Sequence, residues 1–121
     1  MTAFAHPRDI ATAADAGLSS APTLLDLQAY VKRIKLDRGH VDDAGTAATR
    51  LAEEVEELTE AIQEAGPPSD VSAAGRTAIA HEIADALIFL LDVANQYGIG
   101  AEEAFRAKEQ VNKTRRYAST T

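Results

Sequence analysis

The stretch IAHEIADALIFLLDVA, residues 79–94, decides the fold. Read as a helix, it is apolar over most of its circumference, and such a helix is buried between other helices. Two acidic residues, Glu82 and Asp85, stand three apart within it. Carboxylates are rarely buried unless paired or bound to metal, because leaving water without a partner is costly. The chain around this helix therefore has to supply both apolar partners and something that compensates the two charges.

The preceding segment supplies both. LAEEVEELTEAI, residues 51–62, carries an apolar line through Leu51, Val55, Leu58 and Ile62 at helical spacing. Glu54 and Glu57, again three apart, lie on one face beside that line, whereas Glu53 and Glu60 point away from it. Taken alone, this helix reads equally well as a solvated acidic face. The spacing predicts a helix from Asp43 to Ala65, stopped by Gly66-Pro67-Pro68, then a mobile loop, and the apolar helix from near Arg76 to Tyr97-Gly98. Upstream, Thr23 is an N-cap residue for a helix with Leu24, Leu27, Val31 and Ile34 on one face, ended by Gly39. Downstream, a last helix runs from Ala101, after Gly100, to Arg116. With no β-strand candidate, the prediction is an all-α, four-helix bundle-like domain over residues 23–117. It is preceded by an arm, residues 1–22, in which Pro7 to Ala16 allows one short helix, and followed by a tail, 118–121.

Bulk composition narrows the chemistry. A chain of 121 residues is one domain by default, and 45% apolar with 26% charged residues is ordinary for a soluble globular protein. Aromatics make up only 5%, so the core is expected to be aliphatic. The absence of Cys excludes thiolate metal sites, disulfides and a cysteine nucleophile, and is compatible with the cytoplasm. The first residues, MTAFAHPRD, lack the pattern of a secretory signal, and the apolar run from Ala84 to Leu91 is too short to span a bilayer. A net charge of −7 argues against a nonspecific nucleic-acid binder. Residues 108–116 nevertheless concentrate Lys108, Lys113, Arg115 and Arg116 against Glu109 alone. An acidic middle with a basic tail suits a site that holds metal and phosphate together.

Four carboxylates brought together repel. At an effective dielectric near 20, each like pair at about 4 Å costs roughly 4 kcal/mol before relaxation. A hard divalent cation removes the conflict, and Mg²⁺ fits, since it takes a few carboxylates, keeps several waters and binds phosphates; Mn²⁺ is a substitute. Zinc does not suit a set without Cys or clustered His. A di-iron bundle needs Glu-x-x-His pairs, and no Glu here has His three residues later. His81, beside Glu82, is read as a surface or supporting residue.

These residues carry a family resemblance. LAEEVEELTEAI followed by HEIADALIFLLDVANQYGI resembles the MazG-like all-α nucleoside triphosphate pyrophosphohydrolases, whose signature Glu-x-x-Glu then Glu-x-x-Asp is matched by Glu54, Glu57, Glu82 and Asp85. The resemblance covers Leu24 to Tyr117. It implies hydrolysis of a nucleoside triphosphate, often a deoxynucleotide, to the monophosphate and pyrophosphate, with Glu54, Glu57, Glu82 and Asp85 holding Mg²⁺. It implies Glu53 or Glu54 as the group that positions or deprotonates water, and Lys108, Asn112 and Arg115 as contacts to phosphate. It also implies a dimer or tetramer. Where many such proteins have Arg-Gly-Trp after the first helix, with the Trp near the base, this chain has Arg38-Gly39-His40, so base recognition does not carry over there. Phosphoribosyl-ATP pyrophosphohydrolase, of the same superfamily, is the alternative enzyme. A non-enzymatic acidic helical module that binds a basic partner is the alternative class.

Overall fold

The computed structural model describes residues 18–39 and 42–118. Among them are four α-helices, α1 (Leu24–Asp37), α2 (Ala44–Ala65), α3 (Ala73–Gln96) and α4 (Ala101–Ala118), one 3₁₀ turn (Pro68–Asp70) and no strand. The all-α expectation holds. The short helix suggested within Pro7 to Ala16 falls outside the described residues, as does His40.

Each helix begins where local chemistry lets it. Thr23 caps α1 through a reciprocal pair: its hydroxyl accepts from Asp26 N at 3.1 Å, and the Asp26 carboxylate accepts from Thr23 N at 3.0 Å. Asp43 caps α2 by accepting from Thr46 N at 2.8 Å, and this bond holds the Asp43 carboxyl below its ordinary range. Ser72 does the same for α3, accepting from Gly75 N at 3.0 Å. The Ser72 cap moves the start of α3 to Ala73, three residues before the predicted start. The segment expected to be a loop contains a 3₁₀ turn, Pro68–Asp70, and ends at the Ser72 cap. Gly75 leaves room for the end of α2 and the connecting turn: a Cβ there would meet Val71 Cγ2 at 3.0 Å and Ala65 Cβ at 3.2 Å.

The short connection folds α2 back along α3, and this pair makes the largest packing interface. Distance from the turn sets which residues face one another. Glu54 is eleven residues before the end of α2 and Glu82 nine after the start of α3, about 16 and 14 Å along their helices at 1.5 Å per residue. The acidic pairs therefore sit at one level. Further from the turn, α1 crosses α3 and brings Val31 and Ile34 to the level of Leu91; together with Ala47 these are the buried apolar residues among those described.

The apolar helix is less enclosed than its sequence predicts. In α3, Ile83 and Leu90 are half exposed, as are Val55 and Ile62 of the predicted apolar line of α2. The reason is the placement of α4, whose main contact is α1, so it leaves the outer faces of α2 and α3 open. All of α4 after Ala101 is exposed where its side chains are described, including Phe105 and Val111.

What holds α1 and α4 to α3 is a buried amide, Gln28. Its Nε2 donates to Ile99 O at 2.8 Å and to Asn95 Oδ1 at 3.1 Å, and its Oε1 accepts from Ala101 N at 2.9 Å. Asn95 Nδ2 returns a bond to Gln28 O at 2.8 Å. The turn that presents Ile99 O and Ala101 N depends on Gly98 at φ 64°, a left-handed conformation that glycine takes without penalty. Gln28→Ala is expected to destabilise the chain by about 2 kcal/mol, because it strands buried partners. Gln28→Glu is expected to cost at least as much at pH 7, since it turns an acceptor onto Ile99 O. Urea unfolding followed by circular dichroism measures both.

Candidate functional site

At the common level of α2 and α3, one carboxylate oxygen each from Glu54, Glu82 and Asp85 lie within 4.8 Å of one another. Glu54 is the centre of the group. Its Oε2 is buried with no hydrogen-bond partner. Burial first, then the charge of Glu57, contact with Glu82 and the charge of Asp85, push its carboxyl up to about 7. Glu57 thus stands against Glu54 as the spacing predicts, although it faces solvent. Glu53 is exposed, on the side of α2 turned away from Glu54, and His81 is exposed on α3.

The donor set fits a hard divalent cation. It consists of oxygens alone, and one of them is a buried acceptor with nothing to accept from. Two oxygens bound to one Mg²⁺ can be at most about 4.2 Å apart, twice the Mg–O distance. A spread of up to 4.8 Å is wider than that by about half an ångström, within reach of small side-chain adjustments.

A cavity of about 150 Å³ opens directly beside the carboxylates. Its α3 wall runs from Asp85 through Ile88 and Phe89 to Asp92, and its α1 wall consists of Val31, Ile34, Lys35 and Arg38, with Asp42 from the connection to α2. Asp92 is buried, and Lys35 Nζ reaches both its oxygens at 3.0 Å. The same ammonium donates to Asp42 O at 2.7 Å, and Asp42 Oδ2 pairs with Arg50 Nε of α2 at 3.2 Å. One cation therefore ties α1, α3 and the α1–α2 connection together. Because Gln28 meets Asn95 and Lys35 meets Asp92, α1 runs antiparallel to α3. Arg38, three residues beyond Lys35, consequently lies towards the Asp85 end.

Sequence reasoning passes over Lys35, Arg38, Asp42 and Asp92. Asp92 carries a signal, since it follows Asp85 by seven residues and so shares its face of an apolar helix. Lys35 carries none, as its partner is 57 residues away. Lys108, Asn112 and Arg115 lie exposed on α4, and none of them lines the cavity beside Asp85.

A family model for the MazG nucleotide pyrophosphohydrolase domain matches residues 43–117, more than half of the chain and all of α2 and α3. The chain belongs to the MazG family. No individually curated protein matches it at a significant level. Membership supports nucleotide pyrophosphohydrolase activity in general, and the family's general dependence on divalent metal agrees with the acidic cluster. The MazG match begins at the Asp43 cap, so α1, with its Lys35 and Gln28 anchors, lies outside it. No helix of the described residues is long and apolar enough to cross a membrane.

The raised Glu54 carboxyl has a measurable consequence. In the unfolded chain Glu54 ionises near its ordinary 4.5, but in the folded, metal-free protein only near 7. Its contribution to stability is therefore fully present below about 4.5, declines as pH rises through 7, and then levels off. Metal-free protein is expected to lose melting temperature between pH 5 and pH 8 relative to Glu54→Gln, which cannot ionise. Added Mg²⁺ or Mn²⁺ at pH 8 is expected to restore it in the wild type and not in the variant. Thermal melts across the pH series read both effects.

Proposed function

We propose that this MazG-family chain is a Mg²⁺-dependent nucleoside triphosphate pyrophosphohydrolase, which cleaves a ribo- or deoxyribonucleoside triphosphate between its α- and β-phosphates in the service of nucleotide-pool housecleaning. The observation that carries the reading is the Glu54, Glu82 and Asp85 cluster around a buried, unpartnered carboxylate oxygen, in a chain of this family.

In this reading Glu54, Glu57, Glu82 and Asp85 hold the metal, with Mn²⁺ able to replace Mg²⁺. When bound, the ion neutralises phosphate charge that builds up in the transition state. The protein's own work is placement and proton transfer. Glu54 Oε2, buried and without a hydrogen-bond partner, accepts the proton of the water that attacks the α-phosphorus. Glu53, exposed and turned away, positions water only where a neighbouring subunit faces that side of α2. Arg38 lines the same cavity as Asp85 and supplies a cation for the phosphates from this chain.

Lys108, Asn112 and Arg115 are assigned to phosphate as well. They stand on a helix that leaves Phe105 and Val111 exposed, while Ile62, Ile83 and Leu90 are exposed on α2 and α3. A homodimer or homotetramer that covers these faces brings one subunit's α4 to another's cluster. In this reading the active protein is an oligomeric, cytoplasmic enzyme whose domain spans residues 23–117.

The deciding experiment is a panel of ribo- and deoxyribonucleoside triphosphates with Mg²⁺ or Mn²⁺, scored for products by ³¹P NMR. Pyrophosphate and the monophosphate are expected, and orthophosphate instead overturns attack at the α-phosphorus. Action on phosphoribosyl-ATP alone reassigns the substrate. Glu82→Gln and Asp85→Asn are each expected to lower kcat/KM on the order of 10²-fold, as loss of one group that stabilises transition-state charge does.

A further inference from the structure

Resting on the pyrophosphohydrolase reading, we infer that the cavity beside Asp85 is a base pocket for a single pyrimidine ring bearing an exocyclic amino group, with the Asp92 carboxylate reading that group. The substrate is then a cytosine-type nucleotide.

Length supports the assignment first. Asp85 and Asp92 lie on one face of α3, seven residues or about 10 Å apart at 1.5 Å per residue. That is comparable to the reach from the α-phosphorus of a nucleotide to the outer edge of its pyrimidine ring. With phosphates at the carboxylates, the base edge arrives at Asp92. Arg38 stands at the phosphate end of the same cavity, as the antiparallel course of α1 requires.

Size is the second support. The cavity measures about 150 Å³. An engineered apolar cavity of about that volume takes up benzene. One six-membered ring fills that volume, and a fused purine exceeds it and would project through the open side. The walls suit a ring, with Val31 and Ile34 on one side and Ile88 and Phe89 on the other.

The chemistry of the far end decides the base. Lys35 has three N–H donors, and its contacts to Asp42 O and to both Asp92 oxygens use them. It therefore has none left for a ligand. Asp92 Oδ1 also accepts from Gln96 at 3.4 Å, but each carboxylate oxygen can accept twice, so Oδ2 retains a free acceptor position. An acceptor on a buried side chain that lines the cavity matches a donor. The amino group at C4 of cytosine is a donor, whereas thymine and uracil place a carbonyl oxygen there and would set acceptor against acceptor.

Monophosphates test the pocket without any hydrolysis. In calorimetric titrations of the full chain with Mn²⁺ at pH 7.5, dCMP is expected to bind on the order of tenfold tighter than dTMP or dUMP. In Asp92→Asn, whose amide offers both a donor and an acceptor, the ratio is expected to collapse to about threefold or less. Should that variant fail to fold by circular dichroism, Val31→Phe provides the second arm. A ring placed there fills the cavity, so dCMP binding is expected to disappear while the Mn²⁺-induced rise in melting temperature stays. Equal affinity for dCMP and dTMP, tighter binding of dAMP or dGMP, or undiminished dCMP binding in Val31→Phe each overturns the inference. Hydrolysis tests the activity separately. Pyrophosphate release at equal kcat/KM from dCTP and dTTP keeps the activity and removes the base assignment. Selective dCMP binding with no triphosphate cleaved keeps the pocket and removes the activity.

Discussion

Repulsion among carboxylates at one level of the α2–α3 hairpin is the constraint around which this small protein is arranged. Glu54, Glu82 and Asp85 converge within 4.8 Å, with Glu57 against the first of them. Two of the nearby cations are engaged with other acids, Lys35 with Asp92 and Arg50 with Asp42. In the metal-free protein the conflict is relieved by a proton, since Glu54 stays protonated to about pH 7. A divalent ion held by these carboxylates would relieve it more completely by replacing that proton. The apolar α2–α3 interface, the largest in the fold, has to outweigh what remains of this repulsion.

The seam between α1 and α3 adds a second fastening, and it is polar as much as apolar. The buried apolar residues among those described are few: Val31, Ile34, Ala47 and Leu91. Between and beside them run Gln28, whose amide bonds to the turn before α4 and to Asn95, and Lys35 with Asp92. Such buried polar contacts add little net stability but penalise any other alignment of the helices, because each would strand a donor, an acceptor or a charge. The seam fixes the register of α1 on α3. Register in turn puts Arg38 at the Asp85 end of the cavity and the Lys35–Asp92 pair at the other.

The helices that shape the site also leave much apolar surface uncovered. Phe105 is 71% exposed on α4, and Ile83 and Leu90 are about half exposed on α3. The proposed homo-oligomer would answer two observations at once, the openness of the hairpin's outer faces and the absence of Lys108, Asn112 and Arg115 from the cavity beside Asp85.

The sequence by itself determined the four helices, the Thr23 cap and the four acidic positions. Thr23, Asp43 and Ser72 act as caps through atoms three residues away, and spacings of three and four residues put Glu54 with Glu57 and Glu82 with Asp85, all of it local chemistry. The start of α3 lies three residues before the expected one because Ser72, inside a Ser- and Ala-rich stretch, is a weak cap signal. The same helix is less buried than its pattern implies, because periodicity records which face is apolar and not how many neighbours arrive to cover it. Only the tertiary structure decided that α4 docks on α1, that the two acidic pairs share a level, and that Lys35 meets Asp92. Those outcomes depend on partners dozens of residues apart, and on helix register, which no local spacing encodes.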